Sequence, residues 1–363
     1  MARPAIPEAS RRRLDDAVER LGALVPDDWT VTVAHRQPDL GMVTISAYDG
    51  TEATVSVVTR DRLEPRDIGR LTLPEGPTMV TAKWLSPRSR ELLRGSQIGF
   101  LDQTGNVEVR LRRPALYVRT EGSPNDPNPK PISGPTLHGP RVWALMRTLI
   151  EVTPPYTAGD LSSALGIDDG YVSRVLKTLA NERLIARQPR GPVTDVEWEP
   201  LLRQLATTYS LFDANETSAW IAAAGPDQML RDAVAAKARR FAVTGSFVAS
   251  SIAPVAAPEI AVVFTDDPER FAKSARLLST RVGANVILAK PYDAIVFQRG
   301  WSNADVPSVS IPQLAIDLLT GTAQMPAEGE ALIDWMRRDT SRWRTARLTA
   351  EGYPVGLNSR AHR

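Results

Sequence analysis

The stretch from Thr157 to Gly191 constrains the fold of this 363-residue chain most strongly, because it predicts a helix, a turn, a second helix and a hairpin in that order. Ala158, Leu161 and Leu165 recur at helical spacing. Gly166 follows them as a residue suited to the left-handed conformation that ends a helix. The first helix is therefore predicted to end at Gly166.

A second helix is predicted directly after this turn. Ile167 is expected to pack inside the turn, and Asp168 to accept hydrogen bonds from the first free amides of the helix. The buried stripe of that helix follows from helical spacing and consists of Val172, Val175, Leu176 and Leu179. The opposite face carries Tyr171, Ser173, Arg174, Lys177, Thr178 and Asn181.

A basic hairpin is predicted next, with a strand at 184–187, and the preceding helix Arg141–Val152 supplies apolar residues to close a three-helix core. Three helices followed by a hairpin are typical of a winged helix-turn-helix, whose second helix enters the major groove of double-stranded DNA. The expected DNA contacts are Tyr171, Ser173, Arg174, Lys177, Thr178, Arg187 and Arg190. A winged helix used only for protein contacts remains an alternative, and Asp168 and Asp169 favour it.

Composition limits the function classes. A net charge of +2 is too small for binding by bulk charge, so DNA affinity must come from a local basic patch: Arg174, Lys177, Arg183, Arg187 and Arg190. The chain has no cysteine, and His35, His138 and His362 are scattered, so we expect no metal site and no cofactor. Without an apolar run of membrane length or a signal core, the chain is expected to be cytoplasmic, nucleoid-associated and free of membrane partners.

The sequence predicts an α/β (α+β) multidomain protein. The expected domains are an α/β domain at 1–120, a Pro-rich linker at 121–139, the winged helix-turn-helix at 140–198 and a C-terminal α/β domain at 199–350. The linker is expected to be stiff and extended because six prolines fall among residues 121–140.

The N-terminal domain is predicted to run helix, three strands, helix, strand, an order that resembles the core of the restriction-endonuclease-like fold. Nucleases of this fold hold Mg²⁺ with an acidic residue and an acidic-x-Lys triplet. The third strand, VSVVTR, has no such triplet, and the nearest candidate is Asp102 with Glu108-Val109-Arg110. We expect these carboxylates to be ordinary surface residues of a hairpin and the domain to be inactive. A metal-dependent nuclease acting through Asp102 and Glu108 is the enzymatic alternative.

The C-terminal domain is predicted to begin with helical runs at 200–210, 216–224 and 228–241. Strands are expected at 241–244, 259–264 and 294–299, with a helix at 268–278. The Gly245-Ser246 turn and the next strand resemble a nucleotidyltransferase-like domain. Ala261 stands where a second Mg²⁺ carboxylate is needed beside Glu259, so we expect no activity. Capping or turn roles are expected for Asp266, Asp267 and Asp293, and a solvated basic face for Arg337, Arg338, Arg342, Arg344 and Arg347.

Residues 140–345 resemble actinobacterial regulators related to the AbiEi-like antitoxins of type IV toxin-antitoxin systems. The most specific segments are residues 312–321, PQLAIDLLTG, and 327–332, AEGEAL. The resemblance implies promoter binding by the winged helix and, as a further possibility, a toxin-like protein partner. This chain departs from the family by some 130 residues ahead of the winged helix.

The sequence as a whole predicts a non-enzymatic, sequence-specific transcriptional regulator, with repression favoured over activation. An antitoxin with autoregulatory DNA binding is the alternative. A homodimer is expected, because one winged helix presents few base-reading side chains.

Overall fold

A computed structural model describes residues 8–129, 136–238, 240–303 and 305–348, and His362 lies outside them. The fold is mixed α/β. The chain divides into two compact units, Met1–Ser133 with Asn181–Arg183, and Gly134–Ala180 with Leu184–Arg363.

The first unit is built on a seven-stranded mixed sheet whose strands lie in chain order. The strands β1 to β3 and β5 to β7 are antiparallel meanders, while β3, β4 and β5 run parallel because α2 and α3 connect them. Its elements are α1 (Glu8–Gly22), β1 (Thr30–Gln37), β2 (Leu40–Ser46), β3 (Glu52–Thr59), α2 (Pro65–Ile68), β4 (Thr78–Ala82), α3 (Pro87–Gly95), β5 (Gly99–Asp102), β6 (Val107–Leu111) and β7 (Leu116–Thr120).

Helices cover both faces of this sheet. The stripe Leu14, Ala17 and Leu21 of α1 packs on one face in a core that includes Val55. Leu93 of α3 packs on the other face in a second core. The central strands are therefore buried on both sides, which explains their long apolar runs.

The second unit begins with three helices and a two-stranded hairpin and continues into another seven-stranded sheet, of order β13-β10-β14-β12-β11-β16-β15. Its elements are α4 (Pro140–Glu151), α5 (Ala158–Leu165), α6 (Asp169–Asn181), β8 (Ile185–Arg187), β9 (Val193–Val196), α7 (Trp198–Ala206), β10 (Glu216–Ile221), α8 (Pro226–Ala235), β11 (Phe241–Thr244), α9 (Ser246–Ala249), β12 (Ala261–Thr265), α10 (Pro268–Ser274), β13 (Leu278–Ser279), β14 (Val286–Lys290), β15 (Trp301–Asn303), β16 (Val306–Ser308), α11 (Ile311–Leu319) and α12 (Met325–Arg338).

One continuous core joins the three helices to this sheet, because the same cluster of buried residues extends from Val142 to Trp343. Helix α11 lies at its centre: every residue from Ile311 to Leu318 is buried. The helix α4 packs against both α7 and α11. Helical material therefore connects the helix-turn-helix to the second sheet, as the sequence predicted.

Two secondary-structure predictions for the second unit are wrong. The alanine-rich segment 216–224 was predicted to be helical, but its residues 216–221 form β10, because their main chain pairs with β14 on one side and β13 on the other. Such pairing outweighs local helix propensity. The segment 294–299, predicted to be a strand, contains a 3-10 turn, Ala294–Phe297. A short apolar run does not distinguish a strand from a buried helical turn.

The Pro-rich segment after β7 is partly held against the first unit. The Arg62 guanidinium lies 2.6 Å from the Asp126 carboxylate, and the Trp84 indole donates to the Ser123 carbonyl at 3.2 Å. Residues 130–135 of the predicted linker lie outside the described residues.

Candidate nucleic-acid interface

The turn between α5 and α6 has the features that the sequence predicts. Gly166 adopts the left-handed conformation, with φ +64°, and ends α5. The Asp168 carboxylate accepts a hydrogen bond from the Tyr171 amide at 2.8 Å and so caps α6. A capping box at Thr157 and Asp160 fixes the start of α5, with the Thr157 hydroxyl 3.1 Å from the Asp160 amide. Both helices therefore begin at defined residues.

The predicted stripe of α6 is buried completely, since Val172, Val175, Leu176 and Leu179 are all 0% exposed. Its burial fixes which face of the helix points outward.

The outward face of α6 presents free positive charge. Arg174 and Lys177 are exposed, and neither forms an ion pair with a carboxylate of the described residues. Ser173 is half-buried. The Thr178 hydroxyl donates to the Arg174 carbonyl at 3.3 Å, and Tyr171 is half-buried against the core. Among the predicted α6 contacts, Arg174 and Lys177 are therefore the most available side chains.

The hairpin brings the other two predicted contacts together. Arg187 is half-buried at the end of β8, and Arg190 is exposed in the turn before β9. That turn is closed by a hydrogen bond of 3.0 Å from the Gly191 amide to the Gln188 carbonyl. Pro189 at its second position and a φ of +59° at Arg190 are typical of a type II turn, which favours glycine where Arg190 stands.

Acidic side chains also lie near this surface. Asp168 and Asp169 are exposed at the start of α6, and Asp195 is exposed on β9 opposite Ala186. Thr194 and Asp195 were not among the predicted contacts, although the apolar residues Val193 and Val196 on either side of them indicate that these two positions face outward. Arg183, part of the predicted patch, groups with the first unit.

The candidate nuclease carboxylates were predicted to be ordinary surface residues of a hairpin, and this prediction is wrong, because both Asp102 and Glu108 are buried. Asp102 is fully buried, and its carboxylate accepts hydrogen bonds from the amides of Leu85, Thr104 and Asn106 at 2.9 to 3.1 Å. The Asn106 amide group and the Thr104 hydroxyl donate to it as well, at 2.8 and 2.7 Å. Asp102 thus organises the turn between β5 and β6.

The carboxylate of Glu108 is likewise occupied by contacts within the first unit. Its carboxylate lies 2.7 Å from the Arg94 guanidinium and 2.9 Å from that of Arg110, and its side chain is only 5% exposed. Among the described residues, no group of three or more histidine or acidic side chains could hold a metal ion.

The Gly245-Ser246 turn lies between β11 and α9, and Gly245 has a φ of +72°. The Ser246 hydroxyl donates to the buried Glu328 carboxylate at 2.6 Å. Ala261 is fully buried at the start of β12, and Glu259 is exposed before it. The Gly-Ser turn is therefore tied to α12 by a buried hydrogen bond.

The acidic residues beyond these strands have local roles, mostly as predicted. The Asp267 carboxylate accepts from the Arg270 amide at 3.0 Å and caps α10, and the Asp293 carboxylate accepts from the Ile295 amide at 2.8 Å. Asp266 caps no helix of the described residues, and its carboxylate instead lies 3.8 Å from the Arg240 guanidinium.

Residues of the segment 312–321 form a buried polar network around Asp317. Its carboxylate accepts hydrogen bonds from the Tyr209 hydroxyl at 2.7 Å, the Thr244 hydroxyl at 2.7 Å and the Gln313 amide at 2.9 Å. Burial raises the pKa of Asp317 to about 6, although those three hydrogen bonds and Arg147 favour the charged form. Burial also raises the pKa of Tyr209 well above its usual value, so Tyr209 remains a neutral donor.

A second buried cluster connects α4 to the region after β14. The Glu151 carboxylate lies 3.3 Å from the Arg147 guanidinium and 3.2 Å from that of Arg299. Arg147 also donates to the carbonyl of Ile295, and to that of Gln298 at 2.6 Å. This cluster fixes α4 against the 3-10 turn at Ala294–Phe297.

The basic C-terminal segment is not a uniformly solvated face. Arg337 forms an ion pair of 2.5 Å with Glu199, Arg344 donates to the Val152 carbonyl at 3.2 Å, and Arg342 lies over the Trp335 ring at 5.0 Å. The guanidinium groups of Arg337 and Arg344 therefore form contacts within the second unit.

No family model, curated protein or solved structure matches this chain. No helix of the described residues is long and apolar enough to cross a membrane. The resemblance of residues 140–345 to AbiEi-like regulators therefore stays a prediction.

Proposed function

We propose that the chain is a sequence-specific transcriptional regulator that binds double-stranded DNA through α5, α6 and the β8–β9 hairpin, with repression favoured over activation. The observation that carries the proposal is the outward face of α6, where Arg174 and Lys177 are exposed and form no ion pair with a carboxylate of the described residues. Exposed basic residues on a helix whose opposite stripe is buried suit insertion into the major groove.

Each basic residue would contribute differently to binding. The Arg174 guanidinium can donate two hydrogen bonds to a guanine edge, which distinguishes guanine from other bases. Arg187 and Arg190 on the hairpin suit contacts with phosphates, which carry affinity but no sequence information. Asp168 is engaged at the start of α6, so its charge is partly offset by the helix amides that it caps.

We further infer that neither unit catalyses a reaction, and that the restriction-endonuclease-like and nucleotidyltransferase-like regions serve as non-catalytic domains. Asp102 and Glu108 are committed to turn and arginine contacts, and Ala261 supplies no carboxylate. Supercoiled plasmid incubated with the full chain in Mg²⁺ or Mn²⁺ should stay intact. Cleavage that is lost in a folded Glu108→Gln protein would support the nuclease alternative.

The DNA-binding proposal is tested by selecting duplexes from a random library with the full chain, then measuring affinity by fluorescence anisotropy. Arg174→Ala should weaken binding by about 5- to 150-fold, which corresponds to about 1 to 3 kcal/mol, and relax preference at one base pair. Arg281→Ala removes an exposed arginine elsewhere in the second unit and should change nothing. Unchanged affinity in a folded Arg174→Ala protein would refute the assignment.

Genome-wide mapping of binding sites separates the two regulatory alternatives. Many distant sites support a transcriptional regulator, whereas one site at the chain's own promoter supports an autoregulating antitoxin with a toxin-like protein partner.

A further inference from the structure

A cleft of about 750 Å³ opens in the first unit. It lies where β4 and β5 begin and β6 ends, beside the end of α3. The residues that line it include the apolar Val55, Met79, Ile98 and Val109, which belong to the adjoining cores. Clefts that bind organic molecules usually have volumes of about 300 to 1,000 Å³, and their lining is mostly apolar.

The charge of the lining is strongly positive. Four arginines line the cleft, namely Arg94, Arg110, Arg112 and Arg113, against one carboxylate, that of Glu108. Glu108 is nearly buried and lies within 3 Å of both Arg94 and Arg110, so it fixes two guanidinium groups at the cleft. Arg112 and Arg113 are exposed, and neither forms an ion pair with a carboxylate of the described residues.

We propose that this cleft binds an organic oxyanion, a small molecule with an apolar body and a carboxylate, sulfonate or phosphate group. The apolar walls would cover the body of the molecule. The guanidinium groups match the geometry of an oxyanion, to which arginine donates paired hydrogen bonds. A small organic anion fits these walls better than a nucleic-acid backbone, which is polar along its whole length.

Two dyes of nearly the same shape test the proposal with the full chain: 1-anilinonaphthalene-8-sulfonate, an anion, and N-phenyl-1-naphthylamine, its neutral counterpart. Fluorescence titration should give one saturable site for the anion and binding at least about tenfold weaker for the neutral dye, because only the anion gains the arginine contacts. Equal affinities, or no saturable binding of the anion, would overturn the proposal.

Charge reversal locates the site. Arg112→Glu combined with Arg113→Glu should weaken the anionic dye by at least about tenfold and leave the neutral dye unchanged. Arg11→Glu combined with Arg70→Glu makes the same change in net charge at exposed positions outside the cleft and should affect neither dye. Equal weakening in both double variants would show that the net charge of the protein, and not the cleft, determines dye binding, and would overturn the proposal. Displacement of the dye by a short single-stranded oligonucleotide would overturn the ligand class in favour of nucleic acid.

Discussion

Replacing Asp317 by asparagine should change how the stability of the second unit depends on pH. The side chain is fully buried and accepts hydrogen bonds from Tyr209, Thr244 and Gln313. Asparagine has the shape of the protonated acid: its carbonyl can accept from Tyr209 and Gln313, and its amide can donate to the Thr244 oxygen. Asp317→Asn therefore removes the buried charge and keeps the contacts.

The magnitude follows from the pKa of Asp317, which burial raises from an ordinary value of 3.8 to about 6. Because the folded pKa exceeds the unfolded one, the folded state binds the proton more tightly. The stability from this group is therefore full below 3.8 and lost as the pH rises through about 6. The full loss is about 3 kcal/mol, since each pKa unit is worth about 1.4 kcal/mol, and about 1.4 kcal/mol of it falls between pH 5 and pH 8.

Hydrogen exchange of the α11 amides, measured at pH 5, 6, 7 and 8 with increasing urea, reports the free energy of unfolding of this core. Comparing the wild type with Asp317→Asn at each pH cancels the intrinsic exchange rates and the titration of other groups. The wild type should lose about 1.4 kcal/mol relative to the variant from pH 5 to pH 8. Asp232→Asn removes an exposed carboxylate of the same unit and should leave the wild-type profile unchanged. Parallel profiles for the wild type and Asp317→Asn would refute the reasoning.

Arg190→Gly should stabilise the hairpin by about 1 kcal/mol, because glycine adopts a φ of +59° without steric cost, yet it should weaken DNA binding because it removes a basic side chain. A thermal melt measures the change in stability and an anisotropy titration the change in affinity. Tighter DNA binding would contradict the role of Arg190. Glu151→Gln should destabilise the second unit by about 3 to 5 kcal/mol in urea, because it removes the carboxylate that pairs with the buried guanidinium groups of Arg147 and Arg299. The matched change Glu199→Gln, at a partly exposed ion pair, should cost about 1 kcal/mol or less, and equal costs for both would argue against the buried cluster. The chain should sediment as a homodimer and protect two DNA half-sites about one helical turn, or a multiple of it, apart, whereas a monomer with one short footprint would rule this out.

Local patterns predicted the helix-turn-helix well, because its determinants lie close together in the sequence. Burial of Val172, Val175, Leu176 and Leu179 follows from helical spacing, and the left-handed Gly166 from its place after the last apolar residue. The same local signals did not show that Tyr171 packs against the core, since helical spacing places it on the face opposite the buried stripe.

The failures have a common physical cause in long-range contacts. Residues 216–224 favour a helix locally but form β10 through pairing with β14, some 70 residues later. Asp102 was expected on the surface, yet its carboxylate is buried and accepts a hydrogen bond from the amide of Leu85, 17 residues earlier in the chain. Nothing in the spacing of the acidic residues indicated that Glu108 would meet the Arg94 guanidinium.

The helix α4 shows why the proposed DNA-binding elements depend on the second sheet. Ten consecutive residues of α4, Val142 to Glu151, are buried, and two of them are charged. The groups that satisfy Arg147 and Glu151 come from Ile295, Gln298 and Arg299, about 148 residues later in the chain. A segment comprising only 140–198 would keep the ion pair between Arg147 and Glu151 but would lack these further partners, which a buried ion pair needs in order to offset the cost of desolvation. The turn at Ala294–Phe297 and the residues after it therefore help to hold α4, the helix that precedes α5 and α6, in the second unit.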